Sequence, residues 1–468
     1  MFKFGVDGLT GPTATMSDRD VSAYCRVFLS TVGHTGALLL SYDTKGASEH
    51  VARVFAGAAQ QMGVHPIWCG RIPAPALAFA AARRRTPAVL ISTRGLSRSQ
   101  LALRFFTPSG EISRYDESRM SASFRTTRKM SVDPAGLGDA DSQPLTEYII
   151  RHTVFQSGWP LKGWRIGIIR NGSTAEQALT KSLMLLGAHV TVDVELDPII
   201  LVNTRTPDDV TLARLRKWRS DERLDAIAGT NASGEHPIVM DDVGHLVAGD
   251  VMAPVCAAEL GARRVIAAAT ASGLAEAMAP FERVDRVDPN HKGILEAVQK
   301  ANQRGGQSVV GYDTRGGVIL GFDSLHGKQP LTRVLCRDGV LPIVTFLARA
   351  ARTNMRPSDY LASLNVPHRM SRRIPDLPWP VSARLLRSIL ENPPDLSDGP
   401  TGPVTRMRTV AGLRLEFASG GVLHFELCAA TPELLIHAEA GTAAEARNLV
   451  EIGHSRTVRG QSTKDRTA

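Results

Sequence analysis

Hydrophobic positions along this chain follow two periods that take turns, and the turns predict strands and helices in alternation. Near the N-terminus, Ser17 and Asp20 form a capping-box pattern that opens a helix with Val21, Tyr24, Cys25 and Phe28 on one face. Gly36–Tyr42 is an apolar run of strand length, Ala47–Met62 a helical pattern stopped by Gly63, His65–Cys69 a strand and Ala74–Arg85 an alanine-rich helix. Val89–Ser92 and Leu103–Thr107 are two buried strands, the second ending in the turn Pro108-Ser109-Gly110. A basic polar stretch then runs to Asp141. A second unit starts near Pro144, where Trp164–Ile169, a helix over Ser173–Leu186 and Ala188–Val194 predict a βαβ unit. A third begins near Ala253, with strands Val265–Ala269 and Ser308–Gly311 and helices over Ile294–Asn302 and Val340–Ala351. Proline-rich passages, Ile374–Pro380 and Asn392–Pro403, flank a helix over Val381–Glu391 and read as a linker. The last unit, Arg406–Val450, reads as two or three antiparallel strands and a helix, with a hairpin turn at Ser419-Gly420-Gly421.

Strand–helix alternation of this kind predicts α/β units. At 468 residues the chain is long enough for three or four of them. Apolar runs stop short of the roughly 18 residues a membrane-spanning helix needs, so no membrane role is expected. The N-terminus lacks the basic-then-apolar layout of a signal peptide. The five cysteines are scattered, odd in number and never in a CxxC pair, which argues against a disulfide framework or zinc site and for the cytoplasm. A formal charge of +9 suits solubility or small anionic ligands; with dispersed basic residues and 5% aromatics it argues against nucleic acid. The basic end, Ser455–Ala468, reads as a disordered tail.

Ala88–Ile112, AVLISTRGLSRSQLALRFFTPSGEI, resembles without a gap the catalytic segment of the α-D-phosphohexomutases, the phosphoglucomutase/phosphomannomutase family. The scaffold motifs KFGVDGLTG near the start, Pro73–Pro75 with the following ALAFA, Gly249–Val251 and CRDGVLPI at Cys336–Ile343 carry the resemblance along nearly the whole chain. It implies three related α/β domains and a smaller C-terminal α+β domain around a central cleft. The expected boundaries are residues 1–143, 144–252, 253–373 and, with linker and tail, 374–468. The family's phosphoserine position is Arg94 here, and the histidine after it is Gly95. A guanidinium is not an oxygen nucleophile and cannot shuttle a phosphoryl group.

The other three loops that the resemblance places in the cleft also depart from the family pattern. The loop whose three aspartates hold magnesium reads NASGEHPIVMDDVG, with Asn231, Ser233 and Glu235 at those positions. One formal negative charge remains where a hard cation needs several, so no metal cofactor is expected. The sugar-binding loop reads GYDTRGG, with Asp313 at the glutamate position and Arg315 replacing a small residue. The phosphate-gripping loop reads ELCAATPELL, with Glu426 for the arginine and Cys428 for the serine. Near the start, GLRG becomes Gly8-Leu9-Thr10-Gly11. The cleft candidates are therefore Arg94, Arg104, Glu235, His236, Asp313, Arg315 and Glu426. Glu235 and His236 also suit two plain polar loop residues, and Asp313 suits a cap on a backbone N–H as well as a sugar contact. Arg94 is expected to pair with Glu235, and Arg94, Arg104 and Arg315 to attract an anion.

The favoured reading is a phosphomannomutase-like protein without mutase catalysis, acting by binding a sugar phosphate or other small anion, or by partnering an active mutase. The alternative is an active phosphohexomutase with non-standard catalytic residues. That alternative needs a new nucleophile, and the nearby serines are Ser92, Ser97 and Ser99. Ser97 is displaced by three residues, up to about 10 Å of extended chain, which in-line transfer does not tolerate.

Overall fold

The protein, analysed as a computed structural model, is described for all residues except 1, 6–7, 35, 44–45, 95–98, 193–208, 289–290, 304–307, 327–328, 395, 398, 400, 428–431 and 463–468. The side chains of Arg94, His291, His326 and residues 458–462 also lie outside the description. Three mixed sheets and a C-terminal antiparallel sheet, each with its helices, follow one another along the chain. In the first sheet, Ala37–Tyr42 runs parallel to both His65–Trp68 and Ala88–Arg94. Gln100–Thr107 returns antiparallel beside Ala88–Arg94, and the N-terminal strand Gly8–Pro12 pairs on its far edge. The expected βαβ unit is present: Arg165–Ile168 and His189–Val192 pair in parallel around the helix Glu176–Leu185. The third sheet orders Arg283–Val287, Arg264–Ala268, Val309–Tyr312, Val318–Leu320 and Val334–Asp338.

Several elements differ from the sequence-based expectation. The basic stretch before Asp141 contains the helix Arg114–Thr126, opened by a capping box at Ser113 and Asp116. Its only buried apolar residue is Met120, so it carries almost no periodic signal. The last unit is a five-stranded antiparallel sheet whose first strand, His368–Ile374, precedes the proline-rich passage. The helix Trp379–Glu391 is not a linker element: Leu385, Leu386 and Ile389 pack into the core of this last unit. Ser455–Ser462 is no disordered tail either, since it continues the helix Ala443–Ser462.

Small side chains decide how the first three units meet. In the helix Ala74–Arg84, Ala74, Ala76, Leu77, Ala80 and Ala81 are all fully buried, so the helix is apolar all round rather than on one stripe. It packs on its own sheet, on the helix Gln143–Gln156 and on the strand Val334–Asp338 of the third unit. One apolar cluster accordingly runs from Leu39 and Phe79 through Ile166 and Leu179 to Val340 and Phe346. The fourth unit keeps its own core around Leu413, Phe425 and Ile436.

Asp338, in the CRDG motif, anchors this junction. Its Oδ1 accepts the backbone N–H groups of Val340 and Leu341, each at 3.0 Å, and caps the helix Val340–Arg352. The Tyr148 hydroxyl donates to the same carboxylate at 2.8 Å, and Arg151 and His152 approach it at 3.4 and 3.3 Å. Burial alone would raise this carboxyl; His152 and Arg151 outweigh it and hold it below the ordinary carboxylate range. Asp338→Ala, which leaves Arg151 buried without its carboxylate, is expected to cost about 3–5 kcal/mol. Urea unfolding of the variant beside the parent chain checks this, and a loss under about 1 kcal/mol would mean that the cluster is solvated.

Candidate functional site

The loop Asn231–His236 links two antiparallel strands, Ala226–Thr230 and Pro237–Met240. Backbone bonds fix it from both sides. The Ala74 N–H of the first unit donates to the Ser233 carbonyl at 3.1 Å, and the Gly339 N–H of the third donates to the Gly234 carbonyl at 3.0 Å. Gly339 permits this approach because a Cβ there would lie 2.7 Å from the His236 nitrogen. Likewise a Cβ on Gly316, whose φ is +83°, would lie 2.6 Å from the Gly249 backbone. The glycines retained in these motifs are thus contact points between loops.

The side chains of the loop close on one another. Asn231 Oδ1 accepts the backbone N–H groups of Glu235 and His236 at 2.8 and 3.0 Å. Its Nδ2 faces Ser233 Oγ and His236 Nδ1, each at 3.2 Å, and Ser233 Oγ–H donates to Glu235 Oε2 at 2.6 Å. Glu235, only 4% exposed, lies with the same oxygen 2.6 Å from Arg104 Nη1. The guanidinium found on Glu235 is therefore Arg104. The Arg94 side chain, expected there, lies outside the described residues, as do Gly95, Ser97 and Cys428–Thr431. The backbone of Arg94 ends its strand and pairs with Gln100, so both strands of this hairpin extend further toward its tip than expected.

Arg104 is no open anion receptor. It is 2% exposed, donates to Glu111 at 2.7 Å and contacts Glu235, so two carboxylates already surround its charge. Lys292 of the third unit joins this group from below. Its ammonium donates to the Ile112 carbonyl at 2.6 Å and lies 3.5 and 3.3 Å from Glu111 and Glu117.

Asp313 belongs to the same continuous structure. Its Oδ1 accepts the N–H groups of Arg315 and Gly317, so it caps its own loop. Its Oδ2 lies 2.8 Å from His236 Nε2 and 3.0 Å from Arg337 Nε. Burial would raise this carboxyl, but Arg337, then His236 and Arg315, hold it well below the ordinary range. Burial pushes the His236 imidazole down despite Asp313. The ring is neutral on this reading, with Nε2–H donating to Asp313 and Nδ1 accepting from Asn231; the tautomer follows from the hydrogen-bond network. Glu426 is elsewhere, on the fourth sheet, where His437 Nε2 meets its carboxylate at 2.9 Å and Ser371 Oγ meets His437 Nδ1 at 2.7 Å.

Arg315 is the candidate that the structure leaves available. It is half-buried and forms no hydrogen bond or ion pair through its side chain with a described residue, yet it lies close enough to lower the pKa of both Asp313 and His236. The three family metal positions do not fit a magnesium ion. Their single carboxylate already faces a guanidinium and a hydroxyl, and the Asn231 oxygen faces two N–H donors. Glu111, Lys292, Arg337 and Asp338 were not singled out from sequence. The readable signal was a lone arginine inside the apolar run LALRFF, since a charge buried in a strand demands partners elsewhere.

The Arg104–Glu235 contact is a buried pair, so removing one partner strands the other. Glu235→Ala and Arg104→Ala are each expected to cost about 3–5 kcal/mol. In a double-mutant cycle their coupling should fall in the range of about 0.5–3 kcal/mol for contacting residues, and a coupling near zero would refute the tie. The pH dependence follows from two depressed pKa values. His236 is neutral when folded, so stability falls as pH drops below about 6.5, where the unfolded histidine takes up a proton. Asp313 contributes stability above about pH 3.9 that is lost as pH falls further. Unfolding across pH 3–8 should show both losses in the parent chain and a smaller upper one in His236→Gln.

The family description "Phosphoglucomutase/phosphomannomutase, alpha/beta/alpha domain I" matches residues 1–129. A phosphomannomutase from Sinorhizobium fredii is 28% identical over 466 residues, covering 96% of this chain and 98% of that protein. Among solved structures, a phosphoglucomutase/phosphomannomutase family protein from Burkholderia thailandensis superposes with a TM-score of 0.73 at 14% identity, covering 97% of this chain and 96% of that one. The N-acetylphosphoglucosamine mutase of Aspergillus fumigatus, in complex with GlcNAc-6P and magnesium, does so with a TM-score of 0.56 at 11% identity, over 98% and 95% of the two chains. Three mixed sheets followed by a C-terminal antiparallel sheet, the scaffold motifs and similarity along the full length agree: the chain is a distant member of the α-D-phosphohexomutase family.

Proposed function

We propose that this family member binds a phosphorylated sugar in its central cleft without transferring the phosphoryl group. The observation that carries this reading is the closed network around Glu235: the loop that would hold magnesium in a mutase is satisfied by Asn231, Ser233 and Arg104. Mutase chemistry further needs an oxygen nucleophile at the position of Arg94, placed for in-line transfer. Among the described residues, neither the Ser92 nor the Ser99 hydroxyl lies within hydrogen-bond reach of an imidazole or carboxylate, so neither has a base beside it. Binding survives these losses better than catalysis, because it asks only for a complementary charge. Arg315, half-buried on the sugar loop and without an ion-pair partner among the described residues, supplies one. The S. fredii relative named a phosphomannomutase and the A. fumigatus neighbour bound to GlcNAc-6P support a hexose phosphate as the ligand class.

Thermal unfolding with and without hexose 1- and 6-phosphates tests the reading. Ligand at a hundredfold excess over Kd stabilises by about 2.7 kcal/mol, a rise of several degrees that Arg315→Ala should abolish. Magnesium or a chelator should leave the midpoint unchanged. A coupled assay should find no interconversion of the 1- and 6-phosphates above that of Arg94→Ala. Turnover that persists through repeated purification and vanishes in Ser97→Ala would overturn the proposal.

A further inference from the structure

A second concave site lies apart from the cleft network. A cavity of about 1120 Å³ opens between the end of the second unit, the third unit and the fourth sheet. Glu235, His236, Asp313 and Arg315 do not line it. Its wall on the fourth sheet carries Arg406 and Arg408, two residues apart on the edge strand Val404–Arg408, and Arg414 on the neighbouring strand Gly412–Phe417. Alternation along a strand puts Arg406 and Arg408 on one face, and the register sets Arg408 directly opposite Arg414.

Like charges directly opposite one another destabilise a sheet unless something neutralises them. The protein supplies little here. Glu416 is shared, at 3.5 Å from Arg408 and 3.3 Å from Arg414. Arg406 is exposed and forms no ion pair with a described residue. The other two carboxylates of the cavity, Glu439 and Glu276, lie near enough to act on Arg414, but each also serves another partner. Glu276 holds the buried Arg286 at 2.6 Å, and Glu439 accepts the Gly273 N–H at 2.8 Å and neighbours Arg369. Arg408 and Arg414 thus share the Glu416 carboxylate, and Arg406 adds a third guanidinium with no ion pair to a described residue. Arg414 is 5% exposed, and burial, then the nearby Arg286, holds it below its ordinary value, although Glu439, Glu276 and Glu416 act the other way. The Arg408 Nε is buried and makes no aligned hydrogen bond. The lining also includes the apolar side chains of Val247, Val251, Val284, Val366 and Pro367.

We infer that this cavity is a second ligand site, taking an organic phosphate with a planar or apolar end, of the nucleoside phosphate class. Arginine forks match phosphate oxygens two at a time, which suits Arg406 and Arg408 side by side. The apolar part of the lining gives the remainder of such a ligand a desolvated surface. The volume lies just above the usual small-molecule range of about 300–1,000 Å³, more than a bare phosphate or a hexose monophosphate fills. This site is independent of the cleft reading, since it shares no residue with it.

Calorimetry on the full chain with a nucleoside 5′-monophosphate, a hexose 6-phosphate and inorganic phosphate tests the inference. The nucleotide should bind at least about tenfold tighter than the other two. It should weaken about tenfold in Arg406→Ala and in Arg408→Gln, the loss of one charged hydrogen bond each. Both side chains reach solvent, and circular dichroism confirms that the variants fold. Arg315→Ala, in the cleft, should leave nucleotide binding unchanged, whereas it abolishes any hexose phosphate binding there. The inference fails if the nucleotide does not bind, if either variant binds it as the parent does, if Arg315→Ala weakens it equally, or if hexose phosphate competes at this site with equal affinity.

Discussion

A buried charge must meet an opposite charge, and in this protein several of the meetings fall at the seams between units. Removing a carboxylate or guanidinium from water costs several kcal/mol even after relaxation, roughly, so each such group fixes where its partner must be. Arg104 of the first unit requires Glu235 of the second; Lys292 of the third requires Glu111 and Glu117 of the first. His236 of the second meets Asp313 of the third, and Asp338 of the third gathers Tyr148, Arg151 and His152 from the helix Gln143–Gln156. Shifting any unit by a few ångströms would break several of these pairs at once. The alanine-rich helix Ala74–Arg84 and the glycine contacts at Gly316 and Gly339 bring the backbones close enough for the pairs to form.

This arrangement bears on what became of the cleft. A phosphoserine–magnesium centre of the kind the family resemblance implies would hold its domains through a strong local pairing of opposite charges. Among the described residues, the loop Asn231–His236 is tied to its neighbours by protein charges, Glu235 to Arg104 and His236 to Asp313. Asn231 and Ser233 are neutral, and their polar atoms turn inward to satisfy backbone N–H groups and Glu235. An ion site needs oxygens that point outward and stay unsatisfied until the ion arrives. The fourth unit differs: it keeps a separate core and meets the third largely through polar contacts, such as Arg369 with Asp250 and with the Thr270 carbonyl. Polar seams of this kind leave room for cavities, and the arginine-lined one lies there.

Much of the scaffold was legible in the sequence because its signals are local. The capping box at Ser17 and Asp20, the glycine stop at Gly63 and the βαβ pattern after Trp164 each rest on residues within one or two turns of one another, and each is present. The departures were legible as well, since Arg94, Asn231, Ser233 and Glu426 stand inside motifs whose surroundings are retained. The elements that escaped notice lack such signals. The helix Arg114–Thr126 buries one apolar side chain, and the strand His368–Ile374 is so rich in basic residues that only its pairing with Leu434–Ala440 reveals it.

The sequence by itself determined the order of α/β units, the family resemblance and the absence of a nucleophile at Arg94, because each depends on residue type and on neighbours a few positions away. It could not determine which charges would meet. Arg104 and Glu235 are more than a hundred residues apart, as are Lys292 and Glu111, and no local rule couples them. The expected partner for Glu235 was Arg94, chosen by analogy with the phosphoserine–metal tie that the family resemblance implies. Only the tertiary structure brings Arg104 to that carboxylate, encloses Asp313 between Arg337 and His236, and leaves Arg315 without a side-chain partner among the described residues. The physical reason is the cost of burying charge: it is set by the three-dimensional surroundings of each group, which exist only once the domains have closed on one another.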